Sequence, residues 1–123
     1  AEREERVVSF TDRALSHARY AGKTWAEQCA QIVEQLPEQV YISFDIDALE
    51  VQYCPTTGTP VVGGLTFNEA AYLIWRVVES GRRIIGFDLV EVAPAQVGHI
   101  DEMVGARMLY KLCCATLSSQ TSK

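Results

Sequence analysis

The sequence contains no apolar run long enough to cross a membrane as a helix, which takes about 20 predominantly apolar residues. It has no basic excess either. Its 11 lysines and arginines face 16 aspartates and glutamates, giving a net charge of −5, whereas a nucleic-acid binder usually carries a basic face. Histidine is scarce: His17 and His99 are the only two, and neither sits in a ligand-like motif. None of the four cysteines, Cys29, Cys54, Cys113 and Cys114, forms the Cys-x-x-Cys pair of the common zinc sites. No signal-peptide pattern opens the chain, so these cysteines are expected to be reduced thiols of a cytoplasmic protein. Cys54 is expected to act as a small packed hydrophobe. Internal repeats and low-complexity tracts are also missing. Together these absences argue against membrane, nucleic-acid, zinc-ribbon and disulfide-scaffold classes.

What remains is ordinary globular composition, 48% hydrophobic and 22% charged, in 123 residues, enough for one domain with a real core. The chain opens at Ala1 with the charged run Glu2-Arg3-Glu4-Glu5-Arg6, and is expected to be a piece of something longer.

Val7-Val8-Ser9-Phe10 reads as a short strand, and the middle of the polar segment 11–23 as a helix. Thr24-Trp25-Ala26-Glu27 matches a capping box, and Trp25, Cys29, Ile32, Val33 and Leu36 then recur at helical spacing until Pro37. Val40 to Phe44 is β-branched and aromatic, a strand whose apolar face is Val40, Ile42, Phe44 and Ile46. Residues 48–64 hold two prolines and three glycines and read as a long ordered loop. Thr66-Phe67-Asn68-Glu69 is a second capping box, followed by the stripe Phe67, Ala70, Ala71, Ile74, Val77 and Val78, with Gly81 as its C′ residue. Ile84 to Val92 is a near-continuous apolar strand of the kind buried on both faces. Val104, Met108, Leu112 and Ala115 mark a last helix. Strands alternating with amphipathic helices predict an α/β fold with a parallel sheet, whose sites form beyond the carboxyl ends of the strands.

Asp45, Asp47 and Glu91 all fall at such ends. If the extended conformation continues to position 47, Asp45 and Asp47 project from one face, and two carboxylates that close repel unless a cation or a proton lies between them. An oxygen-liganded divalent metal accounts for them economically. The alternative is a pair of solvated turn residues. Glu91 ends an apolar strand, is expected to be poorly solvated, and needs a partner: an arginine such as Arg82, Arg83 or Arg107, or a ligand. Thr59 has loop packing as its default role, and Asp88 requires a structural hydrogen-bond partner.

Ser43-Phe44-Asp45-Ile46-Asp47, then Thr57-Gly58-Thr59-Pro60-Val61-Val62-Gly63-Gly64-Leu65, then Glu91-Val92-Ala93-Pro94 together resemble the second half of the ureohydrolases. That superfamily comprises arginases, agmatinases, guanidinobutyrases and formimidoylglutamases. Three motifs in order make the resemblance specific, and it runs from about Val7 to Leu117. It implies a three-layer α/β/α, arginase-like fold with a mainly parallel sheet, residues 1–123 forming the C-terminal half of a single domain. It implies hydrolysis of a C–N bond in a small cationic amidine or guanidine, with two Mn2+ ions activating a shared water. Asp45 and Asp47 would be metal ligands, Asp47 and Glu91 catalytic, and Thr59 and Glu91 would contact the substrate amidinium.

Agmatinase-like release of urea is the first expectation, because Glu91-Val92-Ala93-Pro94 is nearer the agmatinase form of that motif. Formimidoylglutamase or guanidinobutyrase activity is the alternative. The sequence departs from the family in two places. Glu50-Val51 stands where Asp-Pro is usual, and the upstream Gly-Gly-Asp-His and Asp-Ala-His-x-Asp motifs are absent. Two carboxylates cannot satisfy two Mn2+ ions, so the resemblance implies a missing N-terminal half as partner, and the fragment alone is expected to be inactive. The rival reading is a non-catalytic binding or regulatory subunit. A trimeric or hexameric homo-oligomer is a further implication of the family.

Overall fold

Hydroxyl side chains start three of the four helices of the computed structural model, which describes residues 6–121. These residues fall into two units that divide between Leu36 and Pro37. In the first, α1 spans Asp12–Tyr20 and α2 spans Trp25–Glu34. Thr11 caps α1 by accepting from the Ala14 N–H, and Thr24 forms the expected capping box with Glu27 on α2. That box satisfies two of the backbone donors a helix start leaves free. Gln28 of α2 donates to the Leu15 carbonyl of α1 at 2.7 Å, and the Arg19 guanidinium lies 5.4 Å from the Trp25 ring centroid. Residues 7–10 are irregular, contrary to the expected strand, with Val7 and Val8 exposed. A strand exists only when its backbone groups are paired, and β-branched composition cannot supply the partner.

The second unit carries β1 (Gln39–Asp45), α3 (Phe67–Glu79), β2 (Arg83–Val90) and α4 (Ile100–Thr121). β1 and β2 pair in parallel, Ile42 opposite Phe87 and Asp45 opposite Val90, with a register shift between Val40 and Tyr41. A parallel pair needs a crossover, and α3 supplies it. Thr66 caps α3 with Glu69 in the second capping box, and Gly81 follows its end at φ +83°. α4 packs on β2 and α3, and the core gathers there: Ile74, Val77, Val78, Ile84, Val104, Met108, Leu112 and Ala115 are all buried.

Beside β2, side chains of α4 take the place of a further strand. The Ile84 N–H donates to Ser119 Oγ at 3.0 Å, and the Ile84 carbonyl accepts from Gln120 Nε2 at 2.7 Å. The arrangement is α/β with a parallel sheet, as expected. The expected burial of the second strand on both faces is not found among the described residues, since Ile85 is 56% and Val90 41% exposed. Two strands offer too little sheet for both faces to be covered. Asp88 has the structural partners expected of it, accepting from the Tyr41 and Ser43 hydroxyls at 3.1 and 2.8 Å. The bond to Asp88 also raises the Tyr41 phenol above its ordinary pKa.

Candidate functional site

The extended conformation stops at Asp45 and does not reach Asp47 as expected. Asp45 is still extended, with φ −94° and ψ 123°, but residues Ile46–Ala48 turn into a single 3-10 turn. The cause is local. Asp45 Oδ1 accepts from the Asp47 N–H at 3.1 Å and caps the turn, while Ile46, 1% exposed, is driven into the core. The two carboxylates are brought together by this turn rather than by strand alternation. Burial pushes the Asp45 carboxyl above its ordinary pKa; the side chain of Asp47 and the charges of Asp47 and Glu91 push the same way, opposed by the Asp47 N–H.

The loop after this turn is ordered by backbone pairing. Leu65 N–H donates to the Ala48 carbonyl, Glu50 N–H to Leu65, and Val51 N–H to Val61. Glu50 adds a clasp by accepting from the Gly63 N–H at 2.9 Å. Close approach demands glycine at 64, where a Cβ would stand 2.5 Å from the Leu49 carbonyl carbon. This framing sets Thr59 so that its hydroxyl donates to Asp47 Oδ2. Cys54 is buried, as expected, and donates to the Ile46 carbonyl. Burial first, then the charges of Asp101, Asp47 and Asp45, raises its thiol pKa and keeps it protonated.

Glu91 lies one residue past the end of β2 and departs from expectation. It is exposed rather than poorly solvated, because the backbone leaves the strand at Val90 and takes φ +66°. Its carbonyl accepts from the buried Thr57 hydroxyl at 2.9 Å, and its carboxylate lies beside Gly58. Asp101, in the first turn of α4 and 2% exposed, accepts from both the N–H and the hydroxyl of Thr56. The sequence pattern gives no signal for Asp101 or for the Thr57 bond, since their partners lie 45 and 34 residues away.

Among the described residues, no three His, Cys, Asp or Glu side chains converge tightly enough to hold a metal ion by themselves. The donors at Asp45 and Asp47 are hard carboxylate oxygens and suit Mn2+ in kind. With one Asp47 oxygen engaged by Thr59, they fall short of the roughly six ligands each such ion takes. By themselves the described residues therefore do not complete a hard-cation site.

The Arginase family sequence model matches residues 3–114. N(1)-aminopropylagmatine ureohydrolase of Thermococcus kodakarensis is 43% identical over 111 residues, covering 85% of this chain and 38% of that protein. The mitochondrial agmatinase of Gallus gallus is 38% identical over 100 residues, covering 76% of this chain and 29% of its own length. Among solved structures, proclavaminate amidino hydrolase from Streptomyces clavuligerus superposes with a TM-score of 0.70 at 27% identity, covering 92% of this chain and 41% of that one. The chain thus spans well under half the length of the relatives it matches.

Proposed function

This chain belongs to the Arginase family, and from that premise we propose that it contributes the C-terminal part of a manganese-dependent, agmatinase-like amidinohydrolase. The observation carrying this reading is that Asp45, Asp47 and Glu91 share one end of the sheet, close enough for Asp47 and Glu91 to raise the proton affinity of Asp45. Three acidic groups gathered there are best balanced by cations, one from a metal site and one from a substrate. The names of the relatives support a guanidine of the agmatine type.

Each residue has a distinct task. Asp45 and Asp47 supply hard oxygen ligands to Mn2+, and the remaining ligands come from the part of the protein that this chain does not span. Thr59 fixes the orientation of the Asp47 carboxylate. Glu91 accepts two N–H bonds from the planar guanidinium, a bidentate match that presents its central carbon in one orientation. Mn2+, when bound, activates water for attack at neutral pH. Adding one water across the C–N bond of a guanidine, its oxygen to the carbon and its hydrogen to the leaving nitrogen, yields urea and an amine.

The test is product release by the complete, Mn2+-loaded protein supplied in turn with agmatine, arginine, guanidinobutyrate and formimidoylglutamate. Agmatine is expected to give the highest kcat/KM, read as urea. A higher value for formimidoylglutamate or guanidinobutyrate would transfer the assignment to that substrate. No turnover of any of the four would overturn catalysis in favour of a binding subunit.

A further inference from the structure

Glu91 holds a backbone conformation that L residues seldom adopt. Its φ of +66° is the only positive value at a non-glycine residue among those described. Such a conformation persists when surrounding contacts over-determine it. Two sets of contacts do so here.

The first comes from the loop. The Thr57 hydroxyl donates to the Glu91 carbonyl at 2.9 Å, and Thr57 is 5% exposed, so little water competes for that bond. Thr57 is steadied in turn by its neighbour. The N–H and hydroxyl of Thr56 both donate to the Asp101 carboxylate, at 2.9 and 3.2 Å. A carboxylate as buried as Asp101 is costly unless it is bonded, and here its bonds go to the segment that grips Glu91. The second set comes from α4. Gly105 abuts Val92, the residue after Glu91, so closely that a Cβ there would stand 2.8 Å from Val92 Cγ1. The helix therefore bears on Glu91 from both directions, through Asp101, Thr56 and Thr57 at its carbonyl and through Gly105 at the next residue.

We infer that Thr57 and Asp101 are positioning residues for Glu91, holding its backbone left-handed so that its carboxylate lies over Gly58 at the Asp45–Asp47 end of the sheet. The inference rests on Glu91 being the group that binds the substrate amidinium. A Cβ on Gly58 would stand 3.6 Å from Glu91 Oε2, which shows how near the loop backbone that carboxylate sits. Without the Thr57 bond, the Gly105–Val92 packing alone does not fix the Glu91 φ, which then relaxes to the negative value that its strand favours and carries the side chain from this position.

The test uses the complete Mn2+-loaded protein with agmatine as substrate. Thr57→Val keeps the shape and removes the donor; Thr57→Ser keeps the donor. Thr57→Val is expected to lower kcat/KM about tenfold or more, chiefly through KM, with Mn2+ affinity unchanged. Thr57→Ser is expected to stay within about threefold of the wild type, a rescue that a purely space-filling role would not produce. Crystal structures read the second signature directly, a positive φ at Glu91 in the wild type and Thr57→Ser and a negative one in Thr57→Val. Wild-type KM together with a positive φ in Thr57→Val would overturn the inference. Should Thr57→Val not fold, Asp101→Asn, which weakens the hold on Thr56, is expected to raise KM; an unchanged KM there would overturn it equally. If the wild type turns over no agmatine, the functional reading has failed, and the φ of Glu91 in the variants still decides the positioning.

Discussion

At the scale of single residues, the site depends on small contacts that fix where charge points. Thr59 is the clearest case, because its hydroxyl engages one oxygen of Asp47 and so orients the carboxylate. Thr59→Val is expected to weaken Mn2+ binding by the complete protein by about tenfold, the scale of a lost outer-shell partner, as measured by calorimetric titration. Unchanged affinity would remove Thr59 from that role. Gly64 tests the loop that carries Thr59. A Cβ there meets backbone rather than a yielding side chain, so Gly64→Ala is expected to destabilise the protein by about 3 kcal/mol in a denaturant titration. At this scale the placement of Asp45 and Glu91 at the carboxyl ends of the two strands was legible, because each closes a β-branched and apolar run. Asp101 was not, because a helix-start aspartate reads as a common first-turn acid, and its partner at Thr56 becomes visible only once the chain has folded.

At the scale of elements, helices were more legible than strands. Thr24-x-x-Glu27 and Thr66-x-x-Glu69 each state a start in four residues, and both boxes form. Thr66→Ala is expected to cost about 1 kcal/mol of stability, measured by thermal or denaturant unfolding. The Glu27 cap adds a pH dependence. Its bonds to the Thr24 N–H and hydroxyl lower the Glu27 pKa below its ordinary value. A group with a depressed folded pKa stabilises above its unfolded value, and that contribution is lost as pH falls through the folded one. The start of α2 is therefore expected to loosen under acid, seen as a shift of the Thr24 amide resonance that Glu27→Gln abolishes. Strand ends were harder to place, since they depend on partners remote in sequence. Val7 to Phe10 has strand composition and no ladder, and β2 stops at Val90 because Thr57 and α4 redirect Glu91.

At the scale of the whole molecule, the second unit combines two parallel strands, one crossover helix and one covering helix. The parallel sheet was legible from the alternation of elements, whereas its extent was not, because the chain spans 38% of one relative and 41% of a matched structure. The share of the relatives' length that the chain spans bears on the proposed metal site as well. Asp45 and Asp47 alone fall short of a full coordination shell, so tight binding is expected only in the complete protein. The most direct test is Mn2+ stoichiometry and urea release from agmatine, measured side by side for the complete wild-type protein and Asp47→Ala. Two ions per site with turnover in the wild type, and lost metal with abolished turnover in Asp47→Ala, are the expected results. Full occupancy and retained turnover in Asp47→Ala would contradict the assignment of Asp47 as a metal ligand and the function built on it.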